Sequence, residues 1–270
     1  MTVDQRHSPA GLSFYTEKHN PFLCELAVKS VKEFFPLKKE RTLILRSADK
    51  DTMAENKHFA RIYRILFALI GWFGVIGHFI DGIITRPAHW TIFQQIWNFF
   101  SFFTIQTNLL VVLWLTAAIL LRNHDEDSRI LSPKVRGALT LYITITFLVY
   151  ALLLDRLWNP TGLPLVFTTI SHYITRLAFI LDWLLFEKKQ TYQWRYLLNW
   201  LIYPLGYFVY TQIYGGITGN YLYPFLDRPV IGWGGLILRV VGLSLVFLAL
   251  GSAYIAINRR FVLPTRKQHS

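Results

Sequence analysis

The 270-residue chain is 53% hydrophobic and 16% aromatic, and only 16% of it is charged, against about 25% in a typical soluble domain. A single cysteine, Cys24, excludes an internal disulfide framework and a multi-cysteine metal centre. The net charge of +12 would suit nucleic acid on a soluble protein. Here the basic residues gather between apolar runs, which makes them topology signals and contacts for anionic lipid head groups.

Residues 1–57 read as a polar cytoplasmic extension. They hold no apolar core of signal-peptide length, so insertion is expected to rely on the membrane spans themselves. Within them Leu23, Leu26, Ala27, Val31, Phe34 and Phe35 recur at helical spacing beside Lys29, Lys32, Lys38 and Lys39. That is the pattern of a helix lying on an inner leaflet. A helix packed on the loops, or partial disorder, fits it as well.

A helix needs about 20 apolar residues to cross a bilayer core. Six stretches qualify, near Ile62–Ile84, Ile96–Leu121, Val135–Leu157, Leu163–Phe186, Trp194–Gly216 and Gly235–Asn258. Basic residues alternate between the connections. Lys57, Arg61 and Arg64 precede the first span; Arg122, Arg129, Lys134 and Arg136 follow the second. Lys188, Lys189 and Arg195 follow the fourth, and Arg259, Arg260, Arg266 and Lys267 follow the sixth. The other three connections carry only Arg86, Arg156 and Arg228. The positive-inside rule then places both termini in the cytoplasm. The expected architecture is all-α: residues 58–260 form a six-helix, multi-pass domain of the cell membrane, and 261–270 form a short cytoplasmic tail. Nine Trp and fourteen Tyr suit aromatic belts at two membrane interfaces. The expected partners are the bilayer and a lipid, with no nucleic acid, metal or cofactor; oligomeric state is not set by the sequence.

From Pro87 to Leu121 there is no Lys, Arg, Asp or Glu, yet Ser101, Thr104, Gln106, Thr107 and Asn108 lie inside the run. Polar side chains in hydrocarbon are costly and usually face a bundle interior or a cavity. At about 1.5 Å of rise per residue, Thr104 lies on the order of 12 Å from the outer end of the second span, and His172 on the order of 13 Å from that of the fourth. His78 lies on the order of 9 Å below the outer end of the first, so three polar groups share one layer. Thr104, Thr107 and Asn108 share a helical face. Thr104 could equally bond its hydroxyl back to the preceding turn. Gln106 points away from that face and suits an interhelical bond. His172 has the pKa range of a proton carrier, and Arg176, one turn on, could hold an anionic head group or a carboxylate. A structural His–Arg–carboxylate network that pins helices uses the same residues. His78 with Asp81 reads as an interfacial capping pair, and Asp182 as the partner of a nearby base.

Three segments, Phe102–Leu110, Ser171–Thr175 running into Phe179–Asp182, and Gly219–Leu226, together resemble the androgen-induced membrane protein family. The resemblance covers about residues 60–260, and the long N-terminal extension is similar to the bacterial branch. It implies a multi-span hydrolase of fatty acid esters of hydroxy fatty acids, with a membrane-embedded threonine and histidine. Carried over by motif, these are Thr104, in Phe-Phe-Thr-Ile, and His172. The implied chemistry is attack by Thr104 on a lipid ester carbonyl, with His172 as general base. Asn108 would donate to the oxyanion, Arg176 would hold a substrate carboxylate, and Thr107 would lie beside the substrate or serve as the alternative nucleophile register. Three other readings fit the same residues: a non-enzymatic binder or transporter of an amphipathic lipid, a bis-histidine haem protein using His78 and His172, and an assembly protein without a site.

Overall fold

The computed structural model describes residues 56–121, 128–155 and 159–260. The proposed amphipathic stretch near Leu23–Phe35, Cys24, the tail 261–270, Arg122 and Arg156 lie outside them. Among the described residues every regular element is helical. Helix α1 spans Asn56–Ile84, α2 Ile92–Ser101 and α3 Phe103–Leu120. Helix α4 spans Pro133–Leu154 and α5 Leu163–Phe186. Helix α6 spans Tyr196–Thr218, a short 3-10 turn covers Pro224–Leu226, and α7 spans Arg228–Arg260.

Five of these, α1, α3, α4, α5 and α7, are long and apolar enough to cross a membrane. Helix α6 has the length, 23 residues, but its five tyrosines, with Asn199 and Gln212, lower its hydropathy. Large apolar side chains face outward along the helices, among them Ile84, Leu120, Leu152 and Val230, each more than 70% exposed. Contiguous apolar surface of this extent suits lipid rather than water.

The second expected span differs from the sequence reading. Instead of one helix over Ile96–Leu121, the chain breaks at Phe102, which is extended (φ −74°, ψ 128°). Helix α2 starts at a capping box: Gln94 N–H donates to the Thr91 hydroxyl (3.2 Å), and Thr91 N–H donates to the Gln94 side chain (2.8 Å). At ten residues, about 15 Å long, it is too short to cross a bilayer. The break has a physical support in Tyr207 of α6. Its hydroxyl donates to Ser101 O (2.9 Å) and accepts from Phe103 N–H (3.0 Å), so one side chain satisfies both backbone groups released there.

Helix α6 presents Tyr203, Tyr207, Tyr210 and Tyr214 on one face, at alternating spacings of four and three. All four hydroxyls contact α2 and α3. Tyr203 donates to Gln106 Oε1, Tyr210 pairs with the Ser101 hydroxyl, and Tyr214 donates to Asn98 Oδ1. Gln106 thus makes the expected interhelical bond. Pro204, inside α6, cannot donate to the carbonyl of Trp200 one turn back. Tyr142 of α4 donates to that carbonyl instead (2.8 Å), so the proline is accommodated by a neighbouring helix.

Helix α4 is the central element, with Thr140, Leu141 and Ile143 almost wholly buried. Helix α1 packs closely on α5. A Cβ at Gly77 would come within 2.3 Å of the Phe167 ring, so only glycine permits this approach. Helix α7 is kinked at Gly232 (φ 67°, ψ 172°), a conformation essentially restricted to glycine.

Candidate functional site

Two irregular turns build the site. The end of α4, Tyr150–Leu154, and the middle of α5, Ile170–Ile174, are both π-helical. Such turns cost regular hydrogen bonding and are frequent at functional sites. Here they place Tyr150 and His172 against one another, their rings stacked at 3.7 Å and 24°. His78 of α1 faces the same imidazole edge-on, at 6.2 Å and 90°. The expected common layer of His78 and His172 is therefore a real ring contact, and His78 faces His172 rather than serving only as a cap. Its Nε2 is buried without a hydrogen-bond partner.

Arg176 is fully buried. Its Nε donates to Ser171 O (2.9 Å), Nη1 to Thr146 O on α4, and Nη2 contacts His172 Nδ1 at 2.9 Å. Arginine has donors only, so His172 Nδ1 is the acceptor. A neutral imidazole then carries its proton on Nε2 and has no free lone pair. In this arrangement His172 is a donor; a base role requires Arg176 to withdraw. Arg176 itself ties α5 to α4, and its guanidinium is committed to protein groups rather than presented to a ligand.

Thr104 sits in the first turn of α3, created by the break at Phe102, where backbone N–H groups have no partner within the helix. Phe103 N–H donates to Tyr207, as above, and Thr104 N–H points to the Tyr223 hydroxyl at 3.4 Å. No bond from the Thr104 hydroxyl back to the preceding turn is present among the described residues. Asn108 and Thr107 are buried and both turn back on Thr104: Asn108 Nδ2 donates to Thr104 O (2.8 Å) and the Thr107 hydroxyl donates to the same oxygen (3.1 Å). Asn108 Oδ1 is buried and unpartnered.

Thr104 forms part of the wall of a cleft between α3, α4, α6, α7 and the Tyr223–Leu226 segment, about 750 Å³ with the open space at its mouth included. The lining is almost entirely apolar, Ile145, Pro204, Leu243 and Phe247 among it. Thr104, Thr146, Ser244 and the hydroxyls of Tyr207 and Tyr223 are its polar side chains. His172 and Arg176 do not line it. They lie behind its Thr146 wall, where Arg176 donates to the Thr146 carbonyl. Among the described residues no hydrogen bond joins Thr104 directly to His172.

Of the expected residues, Thr104, Thr107 and Asn108 form one cluster and His172 with Arg176 another. Tyr223 contacts the first cluster, at Thr104 N–H. Sequence reasoning gave Tyr207, Tyr223 and Tyr150 no role. Tyr223 lies in the quoted segment Gly219–Leu226, so its place in that segment was the available signal; Tyr207 belongs to the four-tyrosine face of α6. Asp182 pairs as expected, accepting from Arg64 Nε (2.8 Å) and Arg136 Nη2.

Comparison with family models, with curated proteins and with solved structures gives no match to this chain. The resemblance to the androgen-induced membrane protein family therefore rests on the three quoted segments alone.

Proposed function

We propose that the protein is an integral membrane hydrolase of a lipid ester, a fatty acid ester of a hydroxy fatty acid or a similar compound, with Thr104 as nucleophile. The observation that carries this reading is the position of Thr104: a hydroxyl on the wall of an apolar cleft, at the first turn of a helix broken just before it. An acyl chain occupies the cleft, and the ester carbonyl lies at the Thr104–Tyr223 edge. Thr104 Oγ forms a bond to the carbonyl carbon and the carbon–oxygen bond to the alcohol breaks. The threonine proton passes to a base and then to the leaving alkoxide, and water releases the acyl group from Thr104. His172 serves as that base once Arg176 leaves Nδ1 and the gap to Thr104 closes or is spanned by one water, since a base must reach the proton directly or through one water. Alternating loop charge supports six spans, α6 included, with both termini cytoplasmic in the cell membrane. In purified protein in nanodiscs, Thr104→Ala is expected to lower hydrolysis of a fatty acid ester of a hydroxy fatty acid by at least about 10³-fold, the order of loss seen when an activated nucleophile is removed. Full turnover by Thr104→Ala contradicts the reading.

A second reading, a non-catalytic site or carrier for an amphipathic lipid, is favoured by one observation: Arg176 occupies the only lone pair that neutral His172 has to offer. The cleft then holds the acyl chain without hydrolysis.

A further inference from the structure

The cleft has a long apolar wall, and the one arginine expected to anchor a substrate, Arg176, is engaged elsewhere. A different arginine stands at its edge. Arg239 on α7 is exposed, and its Nη1 donates to the carbonyl of Phe225 (3.2 Å). Phe225 lines the cleft, and its ring stacks on Tyr223 at 5.2 Å and 23°. Val240, next in sequence, and Leu243, one turn further on the same face as Arg239, also line it. Among the described residues no carboxylate pairs with Arg239. An arginine on an outward helix face is costly in a bilayer unless it reaches an interface or an anion. A guanidinium offers five N–H donors in a planar fork that matches a carboxylate or a phosphate, and Phe225 engages one side of it.

We propose that Arg239 anchors the anionic group of the lipid whose acyl chain fills the cleft. This rests on the cleft being a lipid site, which hydrolysis and simple binding share. The ligand class is an acyl lipid with a carboxylate or phosphate at the end that leaves the cleft beside Phe225. Neutral wax-like esters are poor ligands.

The test uses the full chain in phosphatidylcholine nanodiscs, free of anionic lipid. Three probes are titrated by tryptophan-to-pyrene energy transfer: a pyrene-labelled fatty acid, its methyl ester, and a pyrene-labelled lysophosphatidate, each against empty nanodiscs. The wild type is expected to bind one anionic probe about tenfold tighter than the methyl ester, or more. Which of the two is preferred assigns the group as carboxylate or phosphate. Arg239→Gln is expected to remove that preference and leave methyl ester binding unchanged, and Arg239→Lys to retain part of it. A preference that survives Arg239→Gln, an equal loss for all three probes in that variant, or no preference in the wild type overturns the proposal. Leu243→Trp, which fills the cleft, is expected to weaken all three probes. If it leaves all three unchanged, the cleft is not the lipid site and the functional reading fails with it. If Arg239→Gln behaves as expected while Thr104→Ala keeps full turnover, the hydrolase assignment alone fails.

Discussion

At the residue scale, the protein contains two buried charge systems of different kinds. Around His172 the charge is a single arginine solvated by carbonyl and imidazole acceptors. At the other end of α5, Arg64, Arg136, Asp182 and Glu187 form a compact cluster, and Trp114 lies against both guanidinium groups, at 5.3 Å and 5.1 Å. Glu187, just past the end of α5, is the member that titrates near neutrality. Burial pushes its carboxyl up to about 7, against the opposing pull of Arg136 at 2.9 Å. A carboxyl with a raised folded-state pKa binds more protons folded than unfolded. Its contribution is therefore most favourable at low pH and is lost as pH rises from about 4.5 to about 7. Glu187→Gln is expected to flatten this part of the pH dependence of the thermal midpoint in detergent; an unchanged profile contradicts the assignment.

At the element scale, the break at Phe102 turns an apolar run into a site. It releases the N–H groups of Phe103 and Thr104, and hydroxyls from α6 and the following loop receive them. Tyr207→Phe leaves Phe103 N–H and Ser101 O without their partner, at about 1–3 kcal/mol for a buried unpaired group. The expected result is a lower unfolding midpoint and faster amide exchange confined first to residues around 101–104. Uniform exchange across α3 would contradict the role given to Tyr207. Much of this was legible. Loop charge and apolar length located α1, α4, α5 and α7 to within a few residues or, for the first and last, one or two turns, and Ser101 to Asn108 were marked as the polar cluster. The break itself was not, because Phe-Phe-Ser-Phe-Phe-Thr contains neither Pro nor Gly to interrupt a helical pattern. Its cause lies about a hundred residues away, in Tyr207. The capping box at Thr91 and Gln94 was a local signal of where a helix starts. The π-turns at Tyr150 and Ile170 left no local signal, since they arise from packing between α4 and α5.

At the scale of the whole molecule, the structure describes five strongly apolar helices and one tyrosine-rich helix of spanning length. If α6 crosses the bilayer, the 187–195 and 219–227 connections lie on opposite sides; if it lies flat, they share one side. Single cysteines placed at Lys188 and at Asn220 in a Cys24→Ser background are expected to react with an impermeant maleimide from opposite faces of sealed vesicles. Labelling from one face would leave five spans and contradict the inferred orientation. Loop charge carried this expectation because basic side chains are hard to move across a membrane. Apolar content alone does not settle α6, whose Tyr203, Tyr207, Tyr210 and Tyr214 hydroxyls are turned inward to α2 and α3.

The most direct measurement is labelling of the inserted wild type, Thr104→Ala and His172→Ala with a long-chain fluorophosphonate, followed by peptide mass spectrometry. The expected result is a phosphonyl adduct on Thr104 in the wild type, none in Thr104→Ala, and a much slower adduct in His172→Ala. A wild type that binds lipid but carries no adduct, or an adduct that persists when Thr104 is removed, would contradict the assignment of Thr104 as the nucleophile.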